Sequence, residues 1–385
     1  MEEIEHIEDS ADFFHELQFW SRIKLRLLRD YIDSYVKIRS FGRHPVFYYV
    51  DGFAGQGTYG KEKEEGSPLI MARFAQRIAE ERRGYSLVCL NVELRKKRCL
   101  ELQKCLAEFD PKLVRVFCGA FNVHLPGILE IMKGNAPAVC FLDPFGVVGI
   151  SPGDLRPLLV RSDTEFLLNL NSRTLHRLAG SATSDAKEAP GKFRQLSRTL
   201  GEDPDNPNPE WLQMREQLST TAQWEEWTVR RYMQRVQAAS PHLRYGMAYP
   251  VRQWKGGGVE YYLVFASRSL KAFPVMNDLI CAAEDDLPNR EDLAAQARGQ
   301  MSLLSDQDLP ELARQGRIPA LKEDIHAYGL AHQRCSREEI IEHFCFEQLG
   351  RFMKKHFRQA VKELVAAKRI EKGPGSIDTA PLRFM

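Results

Sequence analysis

The 385-residue chain has no excess of charge of either sign: 54 lysines and arginines stand against 52 aspartates and glutamates, for a formal net charge of +2. That balance excludes a globally basic polyanion binder, so any nucleic-acid surface has to be local. The 8 cysteines contain no C-x-x-C pair. Cys89, Cys118 and Cys140 fall inside apolar runs, where cysteine acts as a small hydrophobe, and a reduced, cytoplasmic protein is expected. No apolar run reaches the roughly 20 residues that span a bilayer, so no membrane partner is expected. The opening "MEEIEHIEDSADFF" is acidic where a signal peptide carries a basic and then an apolar region. Internal repeats and low-complexity tracts are absent as well.

What is present reads as an ordinary globular chain, 43% hydrophobic and 28% charged. Its length accommodates one large domain and a small one. From Phe13 to about Arg39 a helical period runs through Leu17, Trp20, Ile23, Leu27, Leu28, Tyr31 and Tyr35. Five short apolar runs rich in β-branched and aromatic residues follow, at 46–52, 85–93, 114–120, 136–146 and 164–171. Helical patterns separate the first four, which predicts a parallel sheet with helices on both faces. Two last runs, 243–252 and 258–267, are joined by "QWKGGG", too short for a crossover and suited to an antiparallel hairpin. Five parallel strands and then a hairpin is the chain order of the class I methyltransferase fold, an α/β Rossmann-like seven-stranded sheet. The expected organisation is an N-terminal helical segment (1–45), this α/β domain (46–285), a helical connector (286–319) and a winged-helix-like domain (320–385). The polar, proline-rich stretch 181–210 reads as an inserted loop at the sheet's C-terminal edge, either a lid or a decoration.

"YYVDGFAGQGTYG", residues 48–60, holds Gly55, Gly57 and Gly60 in the G-x-G-x-x-G spacing of a dinucleotide loop. Such a loop opens a helix at once so that the helix N-terminus meets the pyrophosphate. Here a helix is expected only from Ser67, with Ser67 as N-cap and Pro68 at the first helical position. Asp51, directly after the first strand, would repel a pyrophosphate, and the acid ending the second strand, Glu93, comes 42 residues after Asp51. Both features suit S-adenosylmethionine, which carries a sulfonium and an ammonium. Gly52, Phe53, Ala54, Gly55 and Gly57 form the cradle, with Asp51 near the cationic groups and Glu93 near the ribose hydroxyls. Asn122 after the third strand either contacts adenine, with Phe121 beside it, or serves turn chemistry.

The fourth strand ends in "FLDPFG". Asp143 is the candidate base or positioner of the methyl acceptor, and Phe145 a candidate stacking face; the alternative is a rigid Asp-Pro turn. The D/N-P-P-aromatic form used on amino groups is not met, since Phe145 and Gly146 replace the second proline and the aromatic. "NLNSRTLHRL" puts Asn169, Asn171, Arg173, His176 and Arg177 near the same edge. Arg173 and Arg177, at i and i+4, either hold an anionic substrate or form a solvated face.

The D-G-F-A-G-x-G loop followed by "EEGSPLI", "FLDPFG" and "YYLVFAS" resembles the three-Cys-motif partner (TcmP) family of bacterial and phage-associated proteins. "SRIKLRLLRDYIDSY", with Lys24 before a leucine pair, is similar to that family's N-terminal helix, and the resemblance covers about residues 15–280. It implies a class I methyltransferase fold, cofactor roles for Asp51, Gly55, Gly57 and Glu93, and an active-site role for Asp143. It also implies a neighbouring partner protein with three cysteines, of radical type; the cysteines here are not that motif. Gln56 stands where the family often has proline. Lys24, Ser67 and Pro68 match the pattern but are accounted for by capping and packing. The resemblance names no methyl acceptor, and the rival class is a methyltransferase-like protein that binds or regulates without catalysis.

In the tail, Ser336 and Glu339 form a capping box. A helix over 351–369 carries Arg351, Lys354, Lys355, Arg358 and Lys362 on one face, and "IEKGPGSIDTAPLRFM" reads as strand, wing, strand. A winged helix of this kind either neutralises phosphates, with Lys354, Lys355 and Arg358 as contacts, or docks protein. His332, Cys335, His343 and Cys345 suggest zinc, but His343 and Cys345 are two apart on a helix, so no metal is expected.

Overall fold

The computed structural model describes residues 19–40, 44–60, 63–82, 84–132, 134–252, 258–287, 309–374 and 380–385. The expected helix start at Phe13, most of the "QWKGGG" turn, most of the connector and the wing tip lie outside the described residues. The chain divides into two compact units, Met1–Val251 with Val259–Arg268, and Arg252–Gly258 with Ser269–Met385.

The first unit is a seven-stranded sheet. Its strands are β1 (Val46–Asp51), β4 (Ser86–Glu93), β5 (Val114–Cys118), β6 (Ala138–Leu142), β7 (Thr164–Leu170), β8 (Tyr245–Arg252) and β9 (Val259–Ser267). A separate two-stranded ribbon, β2 (Thr58–Tyr59) and β3 (Glu64–Glu65), rises from the glycine loop. The sheet order is β5-β4-β1-β6-β7-β9-β8; β1, β4, β5, β6 and β7 pair in parallel, and β9 runs antiparallel to β7. Counting only these seven strands along the chain, the order is 3-2-1-4-5-7-6, the Rossmann-like arrangement of class I methyltransferases. Continuous burial along β1, β4, β6 and β7 follows from helices covering both faces of a parallel sheet.

The helices of this unit include α1 (Phe19–Arg39), α2 (Ser67–Glu81), α3 (Lys96–Cys105), α4 (Phe121–Ile131), α5 (Pro152–Leu159), α6 (Ser172–Ala182), α7 (Ala189–Thr199), α8 (Glu210–Gln217) and α9 (Thr221–Ala238). Leu27, Leu28, Tyr31 and Ile32 of α1 are buried, each aliphatic side chain among them contributing about 1.5–3 kcal/mol. The carboxylate of Glu165 on β7 is buried between chain-distant donors: Tyr31 Oη on α1 donates to one oxygen, and Ser267 Oγ on β9 to the other at 2.7 Å. Burial pushes its pKa up.

Two expectations are corrected. The stretch 181–210 is not an inserted loop: α7 lies within it, and Leu196 and Leu200 join the main core with Trp211, whose indole N–H donates to Ser197 Oγ at 2.9 Å. Its polar composition masked an apolar stripe of Phe193, Leu196 and Leu200 at helical spacing. Nor is Cys118 a buried thiol; it is exposed at the end of β5 and disulfide-bonded to buried Cys99 of α3, the two Cα atoms 5.6 Å apart. Cys89 and Cys140 are buried free cysteines, as their strands predict.

The second unit contains α10 (Phe273–Asp285), α11 (Leu309–Gly316), α12 (Ile318–His332), β10 (Arg334–Ser336), α13 (Arg337–Glu347), α14 (Lys354–Ala366), β11 (Ile370–Lys372) and β12 (Pro381–Phe384). The three strands form one sheet in the order β10-β12-β11. The Ser336–Glu339 capping box forms as expected. His343 stacks on Tyr328 at 4.2 Å, and Cys345 is buried in the core of this unit.

Candidate functional site at the carboxyl ends of the strands

The parallel strands β4, β1, β6 and β7 end side by side: Glu93 and Asp51 are the last residues of β4 and β1, Asp143 follows β6, and Asn169 is the penultimate residue of β7. The glycine loop leaves β1 over this edge. Gly52 has no room for a side chain, since a Cβ would come within 2.7 Å of Leu142, and Ala54 N–H donates to Val92 O at 2.8 Å. Phe53 packs on Phe121 of α4 with ring centroids 5.9 Å apart. Gly55 and Gly57 have φ of +67° and +90°, a region that side chains avoid. A Cβ on Gly57 would meet Cys105 Sγ at 3.0 Å, whereas a Cβ on Gly55 would meet nothing within 4 Å. The backbone at Gly55 therefore faces open space.

Asp51 is fully buried. One oxygen accepts from Ser67 Oγ at 2.7 Å and Tyr49 Oη at 3.0 Å, the other from Phe53 N–H at 3.2 Å. Burial raises its pKa to about 6 against these hydrogen bonds, and the charge of Asp143 adds to the rise. Ser67 is thus not the N-cap of α2. Gly66 occupies that position, and the Ser67 hydroxyl turns back to hold Asp51. Glu93 accepts from Gly55 N–H at 2.9 Å and Arg95 N–H at 2.8 Å, so it ties the cradle to the second strand.

Asp143 is held by Lys24 of α1 through one oxygen and by Asn169 Nδ2 at 2.5 Å through the other. Lys24 also lies 5.6 Å from the ring centroid of Tyr261 on β9. Asn169 Oδ1 is buried with no hydrogen-bond partner among the described residues, an acceptor beside the Asp143 carboxylate. Tyr59, half-buried on β2, has its pKa raised mainly by burial and then by the charges of Asp143, Asp51 and Glu93.

The outer residues are less tightly assembled. Phe145 is 49% exposed, with the Arg98 guanidinium 5.3 Å from its ring centroid. Asn122 is exposed on the first turn of α4. Arg173 and Arg177 do not act as a joint clamp: Arg173 pairs with Glu260 at 3.0 Å, and Arg177 donates to Thr174 Oγ1 at 3.2 Å. In the second unit Lys354 pairs with Asp278 at 3.4 Å and Lys355 with Glu311 at 2.7 Å, on α14, which also carries Arg358.

Packing does not account for Lys24, contrary to the sequence expectation. The signal was a cation on the apolar face of α1, at i−3, i−4 and i−7 from Leu27, Leu28 and Tyr31. Tyr261 and Tyr59 carried no signal, the first being an aromatic residue in a strand-like run and the second lying at the end of the glycine loop.

The residues at this edge fit a cationic ligand. Carboxylates at three adjacent strand ends, an acceptor without a donor among the described residues and open space on the Cβ side of Gly55 oppose a pyrophosphate and suit sulfonium and ammonium groups. No family model matches the chain. No curated protein matches it either. Among solved structures, a Legionella pneumophila protein of the DUF519 family aligns over 66% of this chain and 86% of its own, at TM-score 0.36 and 11% identity. The cyclopropane synthase MmaA2 of Mycobacterium tuberculosis aligns over 76% of each chain at TM-score 0.26 and 13% identity. The strand order, rather than these distant likenesses, carries the fold assignment.

Proposed function

We propose that the first unit binds S-adenosylmethionine at the β1, β4 and β6 ends and acts as a methyltransferase. The observation that carries this reading is the placement of Asp51, Glu93 and Asp143 at three adjacent strand ends, with Glu93 holding the Gly55 N–H of the glycine loop at 2.9 Å. The cradle Gly52–Gly57 and Glu93 would hold the cofactor, and Asp51 would set the negative field around it. When bound, the cofactor supplies an electrophilic methyl group for in-line displacement, and the protein's task is orientation and exclusion of water. Lys24 and Asn169 fix the Asp143 carboxylate by its two oxygens, and Asn169 Oδ1 is left to accept a hydrogen bond from a ligand N–H. The exposed ring of Phe145 offers a flat apolar face at the mouth.

The finer assignment, a member of the three-Cys-motif partner type with a radical-type three-cysteine protein as its companion, rests on the motif resemblance. So does the absence of a named acceptor, with nucleic acid, a protein and a pathway intermediate as the classes to be tested. A second reading, a methyltransferase-like binding or regulatory partner without catalysis, draws support from Asp143 and Glu93, whose oxygens already have donors within the chain.

Isothermal titration of the full-length protein with S-adenosylmethionine, S-adenosylhomocysteine and NAD tests the proposal. Binding of the first two, weakened at least roughly tenfold by Glu93→Gln through a broken cradle, is the expected result. An absence of heat at millimolar cofactor sinks the enzyme reading and leaves the binding-partner reading standing.

A further inference from the structure

A groove of about 550 Å³ runs between α1 and α2, and half of the residues that line it are arginines: Arg22, Arg26 and Arg29 on one wall, Arg73 and Arg77 on the other. The spacing is regular. Arg22, Arg26 and Arg29 sit at i, i+4 and i+7, one exposed stripe rising about 10 Å along the helix at 1.5 Å per residue. Arg73 and Arg77 are i and i+4 on the facing helix. The floor is apolar, made of Leu25, Ile70 and Phe74, and the Arg77 guanidinium lies 4.7 Å from the Phe74 ring centroid, a flat stacking surface at the rim. A second hollow of about 130 Å³ shares Phe74 and Arg77 and extends the track toward Lys37 and Arg82.

The acids that meet these arginines do so at the exposed surface. Among the described residues Arg22 pairs with Glu64 and Arg73 with Glu65, while Arg26 and Arg29 share Asp30, and Arg77 and Lys37 share Asp33. All five arginines are exposed. Exposed pairs of this kind hold weakly, and a guanidinium exchanges a carboxylate for a phosphate with no loss of its fork geometry.

We infer that this groove binds single-stranded nucleic acid, with the phosphodiester backbone on the arginine stripes and bases over the apolar floor and Arg77. A cationic track beside flat stacking surfaces is the general design for sequence-tolerant single-strand binding. The groove shares no lining residue with the strand-end site, and its occupancy does not depend on methyl transfer. It is nonetheless linked to the cradle. Glu64 and Glu65 form β3, and Gly66, the next residue, donates its N–H to Gly57 O at 2.8 Å.

The test is fluorescence anisotropy of the full-length protein with fluorescein-labelled 20-mer single-stranded DNA and RNA, without cofactor, across a salt series. Arg26→Ala/Arg73→Ala/Arg77→Ala should weaken binding at least tenfold and lower the slope of log affinity against log salt by about 2, at roughly 0.7 per lost contact. Glu64→Gln/Glu65→Gln, which removes the internal competitors and keeps every arginine, should tighten binding, and this readout is independent of any folding loss in the triple variant. DNA and RNA arms of equal affinity mark backbone recognition, and an RNA preference marks contact with the 2′-hydroxyl; either supports the groove. Unchanged affinity in both variants overturns the inference, as does loss of binding only in Lys354→Ala/Arg358→Ala. Equal displacement by poly-glutamate of the same charge also overturns it, in favour of an acidic protein partner.

Discussion

Asp51→Asn should make the protein more stable at neutral pH, although it removes a carboxylate that accepts three hydrogen bonds. Burial raises the Asp51 pKa from 3.8 to about 6 in the fold. The folded chain therefore keeps a proton that the unfolded chain has released between about pH 4 and pH 6. The stability this group contributes is complete below its unfolded pKa and is lost as pH rises through about 6. The shift of about 2 units corresponds to roughly 3 kcal/mol, at 1.36 kcal/mol per unit, charged against the ionised form above pH 6. An asparagine does not carry that cost. Its amide meets Ser67 and Tyr49, whose hydroxyls can turn to accept, and it retains an oxygen for Phe53 N–H. Urea unfolding of both proteins from pH 4 to pH 8 reads the difference, followed by the fluorescence of Trp211 and Trp224, buried in the same core. The Asn variant should gain on wild type from pH 4 to pH 6 and hold a plateau above pH 7. A difference that does not change with pH refutes the reasoning, because Asp51 would then ionise in the fold as freely as in the unfolded chain. Cofactor affinity should move the opposite way, falling in the variant, since the charge costly to the empty fold is the one a sulfonium would meet.

Lys24→Met should lower unfolding stability by about 3 kcal/mol, the low end for a broken buried pair because Asp143 keeps some solvent, and Lys24→Met/Asp143→Asn should recover most of it in the same urea assay. Gly57→Ala should lower Tm more than Gly55→Ala, because it adds a contact at 3.0 Å with Cys105 Sγ to a backbone cost of about 1–3 kcal/mol; Gly55→Ala should act mainly on cofactor affinity by titration. Opening Cys99–Cys118, which closes a 19-residue separation, should cost about 3 kcal/mol in calorimetry with and without reductant, and Cys118→Ser should abolish the reductant effect.

Much of the first unit was legible because its signals are local. Strand length, intervening helical periods and the short turn before β9 fixed five parallel strands and a reversed one, and Asp51 and Glu93 stood out as acids that end strands. Lys24 was less legible because its meaning lies 119 residues away, in Asp143, and a helix pattern reports which face is buried but not what meets it. Ser67 followed the capping rule by type, yet its hydroxyl found a stronger partner in a buried carboxylate. The stretch 181–210 was misjudged from composition, which averages away the stripe of Phe193, Leu196 and Leu200. The basic face of α14 read as available charge, since sequence cannot place Asp278 and Glu311 against Lys354 and Lys355.

The clasp on Glu165 has a bearing on how the chain is made. Its two donors, Tyr31 and Ser267, flank it by 134 and 102 residues in opposite directions. As the chain leaves the ribosome, β7 is complete well before Ser267 exists, and any fragment that stops short of 267 buries this carboxylate with one of its donors missing. The sheet thus has a late checkpoint written into it. Its central strands can pair early, but the buried Glu165 carboxylate is satisfied only when α1 and β9 have both arrived.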